Sequence, residues 1–76
     1  MPITKLPKGT IAEIQNIGES SMKCRLYDLG AIPGSLIEQI MVAPLGGSGC
    51  YKICGATIAL REEIAATINV SQIKNL

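Results

Sequence analysis

The chain has 76 residues, of which 47% are hydrophobic, 3% aromatic and 17% charged, with a formal net charge of +1. That is one domain, residues 1–76, at a size where an apolar core is only just sufficient. It lacks the broad basic field that holds nucleic-acid phosphates and the aromatic platforms that stack single-stranded bases, so nucleic acid is not an expected partner.

In chain order, Lys8-Gly9-Thr10 opens the first clear element, expected over Thr10–Ile17 and closed by Gly18. Ile11, Ile14 and Ile17 recur every three residues, a helical hint, but the flanking glycines and the short, isoleucine-rich run favour a strand with a bulge. Ser20 or Ser21 can cap a helix over Met22–Leu29, with Met22, Leu26 and Leu29 on one face and Lys23 and Asp28 turned away. A second strand is expected over Ser35–Ala43, then a loop, Pro44-Leu45-Gly46-Gly47-Ser48-Gly49. Cys50–Cys54 and Ala56–Leu60 read as a hairpin around Gly55, followed by a helical turn over Arg61–Ala66 and a short return strand, Ile68–Val70. Phe and Trp are absent, so aliphatic side chains fill the core. The pattern predicts a mainly β fold, a small and partly open barrel.

The most informative segment is Arg25-Leu26-Tyr27-Asp28-Leu29-Gly30-Ala31-Ile32-Pro33-Gly34-Ser35. Gly30 suits the left-handed stop that satisfies a helix's last carbonyls. Pro33 presets φ at the first central position of a turn, and Gly34 accepts positive φ at the second. Helix, stop, turn and strand follow so closely that Gly30, Pro33 and Gly34 form a rigid structural corner.

Candidate chemistry is sparse. There is no His, and Glu13, Glu19, Asp28, Glu38, Glu62 and Glu63 show no converging pair, so no catalytic residue is assigned and no enzyme is expected. Cys24, Cys50 and Cys54 could in principle hold a metal, and Cys50 and Cys54 share a face if their strand is regular. The C-x-x-C knuckle is missing, so packing of these thiols in the core or at an edge is preferred, with no metal or cofactor. The Gly46–Gly49 glycines lead into a strand and no Lys follows within the motif, unlike a phosphate-binding loop. Lys23, Arg25 and Tyr27 are outward candidates for binding a partner protein, although a solvated helix face, or an Arg25–Asp28 pair, reads the same charges more plainly. No apolar run reaches the roughly 20 residues of a membrane span. The first residues carry no signal-peptide core, and an odd number of cysteines suits a reducing compartment, so a cytoplasmic location is expected.

The order Arg25-Leu26-x-Asp28-Leu29-Gly30-x-x-Pro33-Gly34 resembles the signature of the FeoA family, small cytoplasmic partners of the bacterial ferrous-iron transporter. Leu6–Gly9 is similar to that family's opening, Pro44-Leu45-Gly46 to the end of its second long strand, and Gly55 with Ile58-Ala59-Leu60-Arg61 to a later motif. The resemblance implies an SH3-like β-barrel with one short inserted helix and a short C-terminal helical turn. It implies an accessory or regulatory role beside FeoB, a membrane protein with a cytosolic GTPase domain, either tuning that GTPase or supporting assembly of the complex, and recruitment to the membrane's inner face by that partner. The same domain type occurs at the C-terminus of metal-dependent repressors, whose DNA-reading domain finds no room in this chain. Cys24 stands where basic residues are common in the family, which thins the charge on this helix. The competing readings are a cysteine-based metal sensor or carrier and a domain that self-associates through exposed barrel edges.

Overall fold

The structure, a computed structural model, describes residues 1–42 and 47–72. The isoleucines spaced by three lie on a strand, β1 (Ile11–Ile17). Ala12 and Ile14 point inward with a strand's period of two. The pairing register then slips between Ile14 and Asn16. That bulge leaves Gln15 and Asn16 both exposed and returns Ile17 to the interior, so the inward spacing of three from Ile14 to Ile17 arises without a helix, while Ile11 is exposed.

Strands β2 (Leu36–Val42), β3 (Ser48–Ile53), β4 (Ala56–Arg61) and β5 (Ile68–Gln72) complete an antiparallel sheet in the order β4-β3-β2-β1-β5. A second slip between Gln39 and Met41 bends β2. Two bulged central strands let the sheet curl around its core, but among the described residues β4 and β5 do not pair and the barrel stays open. Helix α1 (Lys23–Asp28) is inserted between β1 and β2, and α2 (Glu62–Ala65) joins β4 to β5.

Ile14, Ile37, Ile53, Ile68 and Val70 of the sheet close on Leu26 of α1, all almost wholly buried. Ile3 and Leu6 join them from a 3-10 turn over Ile3–Lys5 and the residue after it, an element the sequence pattern did not reveal. Ahead of it, the Met1 ammonium donates to the Val70 carbonyl at 3.1 Å, the Val70 amide donates to the Met1 carbonyl at 2.7 Å, and Pro2 bridges to Asn69. The outer edge of β5 is thereby covered.

Several expectations change. Ser48 and Gly49 are not loop but the first residues of β3, Gly49 lying opposite Val42 and Leu60. A Cβ at Gly49 would meet the Tyr51 hydroxyl at 3.0 Å, which explains a glycine inside a strand. Ala43, Pro44, Leu45 and Gly46 lie outside the described residues. Cys54 is not on the strand with Cys50: its φ of 50° and the 83° of Gly55, closed by the Ile53–Ala56 pair, make a two-residue hairpin turn with both central residues left-handed. The alternation that would have placed both thiols on one face does not reach it.

The corner is built in three steps. Ala31 N–H donates to the Leu26 carbonyl at 2.9 Å and Gly30 N–H to the Tyr27 carbonyl at 3.0 Å, the paired bonds of a Schellman stop, with Gly30 at φ 96°. Ala31 and Leu26 are both fully buried, supplying the apolar contact that accompanies this motif. Ser35 N–H then donates to the Ile32 carbonyl at 2.9 Å across Pro33 and Gly34, with Gly34 at φ 95°, a type II turn. Gly34 N–H to the Ile14 carbonyl and Ile14 N–H to the Ser35 carbonyl, both 2.8 Å, pin the turn to β1.

Gly30 is doubly constrained, because a Cβ there would stand 2.7 Å from the Cys54 sulfur. Gly30→Ala is expected to lose about 1–2 kcal/mol from the left-handed backbone alone, with the clash added, lowering the melting temperature by roughly 10 °C. In a Cys54→Ala background the sulfur is gone and part of that loss should be recovered. A melting temperature unaffected by Gly30→Ala in both backgrounds contradicts the corner as a constraint.

Candidate functional site

Helix α1 is held at both ends, which makes its outer surface a fixed platform. At its start the Ser20 hydroxyl accepts from Met22 N–H at 3.1 Å and the Ser20 carbonyl from Lys23 N–H at 3.3 Å. Ser20 thus tightens the turn before the helix, where a side-chain cap at the helix start itself was expected; Met22 is the boundary residue and carries no side-chain cap. Leu26 anchors the inner face, with Met22 packed partly against the core.

Lys23 and Tyr27, one turn apart, share a side of the helix and with Cys24 and Asp28 line a shallow surface depression. Tyr27 is 42% exposed, a large share for an aromatic ring anchored on a short helix. The Lys23 ammonium donates to the Glu19 carboxylate at 2.8 Å, and this hydrogen bond, with the attraction of the same charge, holds its pKa above the ordinary lysine range. Arg25 is exposed but lies about 200° round the helix from Lys23. It forms no ion pair among the described residues, so the alternative Arg25–Asp28 contact is not made. The structure therefore brings Lys23 and Tyr27 together and leaves Arg25 on the other flank as an unengaged cation.

The cysteines are dispersed over three settings. Cys24 is exposed on α1, Cys50 half-buried opposite Met41 and Ala59, and Cys54 exposed at the hairpin tip, its thiol 3.4 Å from the Gly30 carbonyl. Of the two settings expected, core or edge, the core does not apply: none of the three belongs to it, because Cys24 and Cys54 are exposed and Cys50 is only half-buried. Among the described residues no three Cys, Asp or Glu side chains converge as metal ligands.

Two features escaped the sequence pattern. Gln39 and Tyr51 are buried cross-strand partners, the Gln39 amide donating to the Tyr51 hydroxyl at 3.3 Å. A cleft of about 400 Å³ also opens between the start of α1 and the end of the β4–α2 segment, lined by Met22, Ala59, Leu60, Arg61, Glu63 and Ile64 beside Ser21. Its only sequence signal is Met22 sharing a helix face with Leu26; the opposing wall comes from residues far along the chain.

Residues 1–72 match the FeoA domain family, and the chain belongs to that family. Among solved structures it is similar to iron(II) transport protein A from Clostridium thermocellum, with 32% identity and a TM-score of 0.87 over 96% of this chain and 46% of that one. FeoA from Chlorobium tepidum is 28% identical, with a TM-score of 0.90 over 97% of this chain and 71% of that one. FeoA of Stenotrophomonas maltophilia complexed with zinc, described as a prokaryotic SH3 domain protein, shares the fold at 22% identity and a TM-score of 0.82 over 93% and 89% of the two chains. The chain thus spans 46% of the length of the Clostridium thermocellum protein. Among curated proteins none matches the sequence significantly. The fold is the SH3-like one that the resemblance implied.

Two measurements follow from the side chains of this surface. Because the Lys23 pKa is raised in the folded state, the pair's contribution to stability is fully present below the unfolded lysine pKa and is lost as pH rises through the higher folded value. Glu19→Gln is expected to return the Lys23 titration, followed by NMR at its ε carbon, to the ordinary lysine range, and to differ in stability from the parent only below that titration. For the thiols, a variant with Cys24, Cys50 and Cys54 changed to Ala or Ser is expected to fold. The parent should retain no stoichiometric zinc through dialysis; zinc that survives it, with unfolding on chelation, contradicts this.

Proposed function

We propose that this chain is a non-enzymatic accessory protein of ferrous iron uptake that binds the cytosolic region of a FeoB-type transporter. Its membership of the FeoA family over residues 1–72 and its likeness to iron(II) transport protein A support the transport role. No helix among the described residues is long and apolar enough to cross a membrane, and the proposal sets the contact at the cytosolic surface of the transporter.

The observation that carries the contact surface is Tyr27, held 42% exposed on a helix locked at both ends. A surface that is already ordered loses less conformational freedom on binding. Tyr and Arg are also the residue types most enriched where interface energy concentrates. Lys23, on the Tyr27 side of the helix, is engaged by Glu19, so a partner that reaches across to the other flank meets Arg25 as the free cation. Regulation of the transporter then follows from occupancy of its cytosolic region, with no chemistry performed by this chain.

Arg25→Glu combined with Tyr27→Ala is expected to weaken binding to the purified cytosolic region by roughly tenfold or more, the scale of losing a central contact. Both side chains are exposed, so circular dichroism and the melting temperature should stay close to those of the parent. A native spectrum with undiminished binding refutes the α1 surface; no binding by the parent refutes the partner.

A further inference from the structure

The two outer strands of the sheet are treated differently. The far edge of β5 is closed by Met1 and Pro2, whereas among the described residues nothing pairs with the far edge of β4. Edge strands are commonly blunted by lysine, proline or a bulge. β4 reads Ala56-Thr57-Ile58-Ala59-Leu60-Arg61, with no lysine, no proline and an unbroken register against β3, and with a single charge at its end.

Hairpin geometry identifies which backbone groups face outward. The Ile53–Ala56 pair closing a two-residue turn exchanges hydrogen bonds, so Tyr51–Ile58 and Gly49–Leu60 do the same in alternation. Glu62 N–H, donating to the Gly47 carbonyl at 2.9 Å, continues that alternation. The N–H and C=O groups of Thr57 and Ala59 and the N–H of Arg61 are therefore directed away from β3 and find no partner in the turns, loops and caps of the described residues, while the Arg61 carbonyl, at the boundary of α2, accepts that helix's first bond. The cleft beside Ala59 and Arg61 has an apolar floor of Met22, Leu60 and Ile64 and a rim carrying one cation, Arg61, and one anion, Glu63.

We infer that β4 accepts an extended peptide segment of a partner protein as a sixth strand, paired to the backbone of Thr57, Ala59 and Arg61, with an apolar side chain in the cleft. The balanced rim favours an uncharged segment. An unfolded segment can lie against both β4 and the start of α1. A second folded copy would bring only its own edge, a ladder about 20 Å long, and no side chain shaped to enter the cleft beside it.

The test is a titration of the ¹⁵N-labelled chain with a blocked hexapeptide of alternating valine and threonine, whose identity does not depend on the transporter reading. The amides of Thr57, Ala59 and Arg61 are expected to shift and to exchange with solvent at least tenfold more slowly. Ala59→Pro removes an outward N–H without breaking the β3 ladder, as edge positions permit, and should abolish both effects in a chain that otherwise keeps its spectrum. Should that variant not fold, the parent's alternation decides: protection confined to residues 57, 59 and 61 supports the added strand. Shifts centred on Tyr27, no shift at the peptide's solubility limit, or protection of the same amides by self-association without peptide each overturn it.

Discussion

A single peptide unit organises this molecule, the one ending at the Gly30 carbonyl. That oxygen accepts from the Ser35 hydroxyl at 2.7 Å, Ile32 N–H at 3.0 Å and the Cys54 thiol at 3.4 Å. The end of α1, the Pro33–Gly34 turn and the tip of the β3–β4 hairpin meet there. Convergence of three segments on one carbonyl leaves no space for a side chain on the same residue, and the left-handed φ of 96° disfavours one independently. Glycine is required by two separate physical causes, and the direction of α1 over the sheet follows from satisfying both.

The rest of the fold is a solution to making a core from few and mostly aliphatic residues. A flat five-stranded sheet would expose one face and leave two open edges. The slips in β1 and β2 curl it, so that isoleucines from four strands and the 3-10 turn reach one another and Leu26. The first residues then serve two ends at once, Ile3 filling the core while Met1 and Pro2 cover β5. Burying Gln39 and Tyr51 is tolerable because each is the other's partner, and the nearby glycine at 49 gives the phenol its space.

Much of this was legible in the residues because the signals were local. The Gly30 stop and Pro33–Gly34 turn depend on φ preferences of those residues alone, and the isoleucine spacing with flanking glycines was sufficient to read β1 as a bulged strand. What was illegible depended on distant partners. Cys54 adopts a left-handed turn, a conformation its side chain does not advertise, because the hairpin closes around it and the Gly30 carbonyl receives its thiol. Ser48 and Gly49 have loop composition yet join β3, Ser48 opposite Arg61 of β4 and Gly49 between Val42 of β2 and Leu60 of β4, since the ladder outweighs their weak strand preference. Arg25 and Tyr27 were readable as exposed, but not the partial burial of Lys23 or its engagement by Glu19. The cleft beside β4 was unreadable for the same reason: Met22 and Ile64 are forty-odd positions apart and meet only in the folded chain.

Met22 connects the two surfaces discussed above. Its side chain packs partly on the core beneath α1 and also forms part of the cleft floor at β4. Two residues before it, the Ser20 hydroxyl fixes its amide; one residue after it, Lys23 begins the helix that carries Tyr27. A segment seated in the cleft would press on the start of α1 while the far end of that helix is immobilised by the Gly30 and Pro33–Gly34 corner. The cleft at the β4 edge and the surface that bears Tyr27 thus share one short helix, fixed at its start by Ser20 and at its end by the Gly30 corner.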